Sequence, residues 1–141
     1  MSVRYVLFRV SGERYALPLE SIREVVTPQP PFSRVPRTSE AVCGAMNLRG
    51  RVVAVVDLAA LVGLAGQTLT AGRGQVVVLD RDRRALGLLI DGVLGVEPFE
   101  PPERGGEAAV VRGVASVKGM AVTVLDPDAL AAQSHALFGG R

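Results

Sequence analysis

Short apolar runs, separated by glycine, proline and charged turns, follow one another along the chain, a pattern of many short strands and few long helices. The clearest run is Val42 to Leu61. Within it Arg49-Gly50-Arg51 reads as a tight turn, because glycine takes a positive φ at little cost. Val52 to Val56 is almost all β-branched and too apolar to alternate, which predicts a strand covered on both faces. Asp57 then stands where an N-cap opens a short helix, Leu58 to Val62.

The same logic carries the rest of the chain. Strands are predicted at Arg4–Val10, Tyr15–Leu19 and Ser21–Val26, the first two joined by a turn at Ser11-Gly12-Glu13. Pro18 fits only a strand end or an edge. Thr27 to Ser33, with Pro28, Pro30 and Pro31, reads as a stiff surface loop ending at Phe32. Thr38 and Ser39 can cap one helical turn, Glu40 to Cys43. Gly63 to Gly74 reads as a connector. Beyond it come strands Gln75–Asp80 and Arg84–Asp91, with Gly92–Phe99 extending the same sheet, and a terminal helix at Pro127–Leu137.

The central pattern returns. Val111 to Leu130 aligns with Val42 to Leu61 without a gap, so Gly119 answers Gly50 and Asp126 answers Asp57, each 69 residues on. Lys118 answers Arg49. The same offset carried back pairs Arg14, Ala16, Leu17 and Leu19 with Arg83, Ala85, Leu86 and Leu88. Two copies of one small β unit are implied. Halves of about 70 residues hold only a marginal core, so each should lean on the other. The expected organisation is one domain, with subdomains at 1–65 and 75–126 and a helix at 127–138.

Composition sharpens this picture in two places. Hydrophobic residues make up 48% of the chain but only six are aromatic, so valine, leucine and alanine must fill the core. A mean hydropathy of +0.30 implies either a generous core or apolar surface kept for a partner. The net charge is +2 and the pI about 9.2, yet Lys118 is the one lysine and the arginines are scattered, with no nucleic-acid tract.

Candidate chemistry is sparse. Cys43 is the lone cysteine, which leaves no internal disulfide or cysteine metal site and fits a reducing cytosol. Tyr5 to Phe8 is too short for a signal sequence, and Val52 to Gly66 is broken by Asp57 and too short to span a bilayer. A cytoplasmic protein without membrane insertion is expected. His135, the one histidine, falls in the expected terminal helix and reads as a plain surface or packing residue. Gly66 to Gly74 lacks the Lys-Ser/Thr pair of a phosphate loop, and metal-hydrolase, redox and acyl-transfer motifs do not occur. No catalytic, metal or cofactor residue is expected.

Tyr5-Val-Leu-Phe-Arg-Val10, Tyr15-Ala-Leu-Pro-Leu19, Ile22-Arg-Glu-Val25, Val35-Pro36, Gly44-Ala-Met-Asn-Leu-Arg-Gly50 and Val55-Val-Asp-Leu58 together resemble the CheW-like chemotaxis coupling proteins. Asp91-Gly-Val93 and Leu125-Asp126 continue the likeness, which covers the chain in order. Ser39 and Ala54 depart from it, each standing where proline is common. The resemblance implies an all-β fold of two interlocked five-stranded SH3-like β-barrels with short helices. It also implies a non-enzymatic adaptor between a chemoreceptor hairpin tip and the regulatory domain of a CheA-type histidine kinase. Carried over, the receptor-binding positions are Ile22, Glu24, Val25 and Arg49, and the kinase-binding positions are Phe32, Val35 and Gly44. The alternative class is a small basic β-barrel that binds nucleic acid, against which stand the scattered arginines and few aromatics.

Overall fold

Three hairpins turn on a residue followed by glycine. Ser11-Gly12, Arg49-Gly50 and Lys118-Gly119 all carry positive φ at both positions, with Arg49 at 50° and Gly50 at 86°. That mirror-image turn matches the right-handed twist of the strands it joins. In this computed structural model, which describes residues 1–28, 41–64, 74–81, 84–105 and 109–137, the turns link β1 (Val3–Val10) to β2 (Glu13–Pro18), β4 (Val42–Leu48) to β5 (Arg51–Asp57), and β9 (Val111–Val117) to β10 (Met120–Leu125). The other elements are β3 (Ile22–Val26) after a 3-10 turn at Leu19–Ser21, α1 (Leu58–Leu61), β6 (Gln75–Arg81), β7 (Arg84–Ile90), β8 (Gly92–Phe99) and α2 (Pro127–Ala136).

The strands form two five-stranded sheets, ordered β8-β1-β2-β10-β9 and β3-β6-β7-β5-β4. Each sheet takes strands from both halves of the sequence. The second order is the first with every strand replaced by its repeat counterpart, so the molecule has an internal two-fold relation. Even the irregularities recur. Val55 faces Gly44 and Val56 faces Val42, with Cys43 as the extra residue; Val124 faces Gly113 and Leu125 faces Val111, with Arg112 extra. Likewise β3 bulges between Ile22 and Glu24 against β6, and β8 bulges opposite Leu7/Phe8 of β1.

The caps repeat too. The Asp57 carboxylate accepts from the Ala59 N–H at 3.1 Å, and that of Asp126 accepts from the N–H groups of Asp128 and Ala129 at 3.0 and 3.2 Å. Their own N–H groups donate to Ala41 and Val110 carbonyls, each at 2.8 Å.

Four sequence expectations are corrected. Gly92–Phe99 does not extend the sheet of β6 and β7: the chain crosses at Asp91, and β8 joins β1 in the other sheet. The crossing is pinned by Asp91, whose N–H donates to Arg9 O and whose carboxylate accepts from Ser11 N–H, both at 2.9 Å. The repeat also changes register before the central block. Tyr15 lies beside Thr123 and Leu86 beside Ala54, which makes Leu86 the counterpart of Tyr15, 71 residues apart and not 69. Val42 and Cys43 belong to β4 and not to a helical turn, because Val42 pairs with Val56 on β5 and Cys43 is the bulge inside that ladder; Thr38, Ser39 and Glu40 lie outside the described residues. Finally Val52, at the hairpin end, is 75% exposed, although Val53, Val55 and Val56 are buried.

Packing follows the two-fold relation. Each sheet curls round its own small cluster, Tyr5, Leu7, Ala16, Val122 and Val124 in the first, and Val55, Val76, Val78 and Leu89 in the second. Between the sheets Phe8, Leu17, Leu58, Leu88, Leu125 and Leu130 meet in a third and larger core, closed by α1 and α2. Burying a leucine-sized side chain is worth about 1.5–3 kcal/mol, so this shared layer holds the sheets together.

Candidate functional site

In the second sheet β3 and β4 are the two edges, with no ladder between them. The opening is a seam, and an ion pair crosses it. Arg49 sits at the first turn position of the β4–β5 hairpin, where positive φ lifts its side chain off the ladder. Its guanidinium donates to the Glu24 carboxylate on β3. Asn47 fixes that turn, its Oδ1 accepting the Gly50 N–H at 2.8 Å. The Arg49 side chain is 67% exposed and that of Glu24 only 22%. Beneath the pair lies a hollow of about 110 Å³ lined by Arg23, Glu24, Arg49 and Arg51, with Val53 and Val78 among its apolar walls.

Four charged side chains thus meet in one shallow seam, three of them arginine. Such an arrangement can hold a carboxylate-bearing partner by charge-assisted hydrogen bonds. It has no paired acid and base for proton transfer.

Of the residues expected from the sequence, the structure brings Glu24 and Arg49 together. Ile22 and Val25, flanking Glu24, are half-buried and pack against the inter-sheet core. Gly44 is buried in the middle of β4, next to the Cys43 bulge, with φ at 141°. Phe32 and Val35 lie outside the described residues. Asn47, Arg23 and Arg51 join the site although none of them was expected there as a binding residue. For Asn47 a signal existed, since an Asn side chain three residues before a turn glycine readily accepts that N–H.

Three titratable groups away from the seam, Cys43, Asp57 and Asp126, have shifted pKa values with structural causes. Burial, and then the nearby Asp57 charge, push the Cys43 thiol up to about 12, so it stays protonated and inert. Burial also raises Asp57; the Ala59 N–H opposes the rise and the Asp91 charge adds to it. Asp126 meets the same desolvation, but the Ala129 N–H, the Arg104 side chain at 3.1 Å and the Asp128 N–H outweigh it and hold the carboxyl below its usual range. Among the described residues no cluster of His, Cys, Asp and Glu could hold a metal ion, and no helix is long and apolar enough to cross a membrane.

The strand orders define a protein of two interlocked five-stranded β-barrels with a charged seam at the surface. Residues 4–135 match the model of the CheW-like domain, and the chain belongs to that family of chemotaxis scaffold proteins. It is 27% identical over 138 residues to the probable chemotaxis protein CheW of Rhizobium etli, covering 92% of this chain and 88% of that one. It is 32% identical over 92 residues to protein PilI of Pseudomonas aeruginosa, covering 65% of this chain and 51% of that one. The crystal structure of the scaffolding protein TtCheW from Thermoanaerobacter tengcongensis superposes with a TM-score of 0.78 at 26% identity, covering 89% of this chain and 90% of that one.

Proposed function

We propose that this chain is a cytoplasmic adaptor that couples the tip of a chemoreceptor hairpin to the regulatory domain of a CheA-type histidine kinase. In this reading it associates with membrane receptor arrays through protein contacts alone. The β3–β4 seam is the receptor contact, with Glu24 and Arg49 setting orientation and Ile22 and Val25 giving apolar support. The observation that carries this reading is the ion pair across an open seam, held by a turn that Asn47 has already shaped. A charged pair fixed before binding loses little freedom on binding. Phe32, Val35 and Gly44 are assigned to the kinase face on the family resemblance.

The test is calorimetric titration of the whole chain with a purified receptor hairpin tip, with the kinase regulatory domain, and with each in the presence of the other. Separate saturable binding to both, and a ternary complex on mixing, is the expected result. Binding that is mutually exclusive, or absent for both partners, overturns the adaptor reading. A salt-dependent shift with single-stranded DNA in place of those complexes would favour the nucleic-acid alternative.

A further inference from the structure

The two-fold relation gives the β3–β4 seam a counterpart on the first sheet, between the edges β8 and β9. It is also a hollow, and its walls correspond position by position. Lys118 stands for Arg49, Gly95 for Glu24, Leu94 for Arg23 and Met120 for Arg51. Leu7 and Val122 stand for Val78 and Val53. An ion pair crosses this seam as well, from Lys118 to Glu97 at 3.1 Å. Here, however, the carboxylate lies two residues further along the edge strand. The position that Glu24 fills in the other seam is glycine, and the hollow widens from about 110 to about 210 Å³.

The two seams differ in chemistry as much as in size. Where one presents exposed Arg23 and Arg51, the other presents Leu94 at 45% and Met120 at 44% exposure. The symmetric position shows that this fold solvates such a site readily with arginine, so leucine and methionine here keep apolar surface in water without need from the fold. Set together at the mouth of a hollow, they offer apolar surface to a partner. The rim is cationic: Arg14, in the place of Ala85, and Lys118 outnumber Glu97, which Lys118 already neutralises.

We propose that the β8–β9 seam is a docking site for an acidic amphipathic helix, which seats one leucine-sized side chain in the hollow and sets carboxylates against Arg14 and Lys118. A hollow of about 210 Å³ lies below the roughly 300–1,000 Å³ of small-molecule pockets and suits a single anchoring side chain. An added strand fits badly, because β8 is bulged opposite Leu7/Phe8 and carries Pro98, which lacks an N–H. A helix needs no ladder and brings an apolar residue and an acid one turn apart to the same face.

The inference is independent of the receptor and kinase assignments, and neither protein enters its test. Methyl NMR of the full chain is followed during titration with a capped helical peptide of about 15 residues, patterned with leucine on one face and glutamate beside it. A second peptide carries lysine for every glutamate. The glutamate peptide is expected to shift the methyls of Leu94, Val117 and Met120 and to leave those of Val53 and Val78 in place. Affinity should fall about tenfold in Leu94→Ser and again in Lys118→Glu. Both positions are exposed, so both variants should keep the wild-type spectrum elsewhere. Equal binding of the lysine peptide, shifts centred on Val53 and Val78, or no shift in the β8–β9 seam overturns the proposal.

Discussion

Replacing Arg49 with alanine separates a binding role from a structural one, because the structure assigns the two very different magnitudes. Alanine and arginine bear the same cost of the left-handed backbone at this position, where φ is 50°, so the substitution removes the side chain alone. What folding loses is one ion pair whose arginine is 67% exposed. Such pairs contribute about 0–1 kcal/mol after solvent screening and side-chain entropy. For a chain of this size that is a fall in Tm of at most about 4 °C. Binding is a different matter. If the guanidinium orients a receptor carboxylate in a desolvated contact, truncation costs about 2 kcal/mol or more, roughly a thirtyfold rise in Kd. Paired measurements decide: thermal unfolding of Arg49→Ala, and calorimetric titration with the receptor hairpin tip and the kinase regulatory domain. The expected outcome is near-native Tm, kinase affinity unchanged and receptor affinity lost. A Tm fall beyond about 10 °C, out of range for a surface pair, would make Arg49 structural. Unchanged receptor affinity in a folded variant would remove the seam from the receptor contact.

Three further outcomes follow from local geometry. Gly113→Ala should destabilise by about 2–3 kcal/mol in urea titration, since the new Cβ would lie 2.5 Å from the Glu103 backbone carbonyl, whereas Gly92→Ala, whose Cβ meets only Gln75 Oε1 at 3.9 Å, should cost under about 1 kcal/mol. Gly50→Val should cost about 1–2 kcal/mol even though a Cβ there meets nothing within 4 Å, because the strain lies in a φ of 86° and not in space; thermal unfolding checks it. The two cap aspartates should respond oppositely to conversion to asparagine, which keeps the capping oxygen. Asp57 has a raised folded pKa, so its charge costs stability above that value and the cost fades as pH falls through it. Asp57→Asn should therefore gain stability at neutral pH and lose the advantage in acid. Asp126 has a lowered folded pKa, so its contribution is full above the ordinary carboxylate range and disappears as pH falls through the depressed value. Asp126→Asn should lose stability at neutral pH and converge with the parent in acid, as denaturation midpoints across pH will show.

Much of this fold was legible because local chemistry repeats. Arg49-Gly50 and Lys118-Gly119 mark turns that need positive φ, and Asp57 and Asp126 mark caps that accept N–H groups; both pairs lie where the sequence placed them. What stayed hidden was which copy pairs with which. Similarity between two segments is silent on whether β2 lies beside β5 or β10, and the structure chooses β10. The two-residue change of register between the copies was hidden for the same reason, since the parallel neighbours reveal it. At the site, Glu24 and Arg49 are 25 residues apart, and the family resemblance, not spacing, joined them. The hollow between β8 and β9 was hidden as well, since only the fold gathers Leu94 and Met120, from different edge strands, into one patch.

Because every sheet borrows from both halves, neither half satisfies its own hydrogen bonds. β1 and β2 find their outer neighbours in β8 and β10, and β6 and β7 find theirs in β3 and β5. One repeat synthesised alone would expose strand edges on every side, yet two identical copies of it could exchange hairpins and meet every pairing seen here. The chain is in effect a swapped homodimer written as one polypeptide, and because its two halves differ in sequence its two seams differ as well. Two identical copies would offer the same surface twice; this molecule offers one seam lined by arginine and one lined by leucine and methionine.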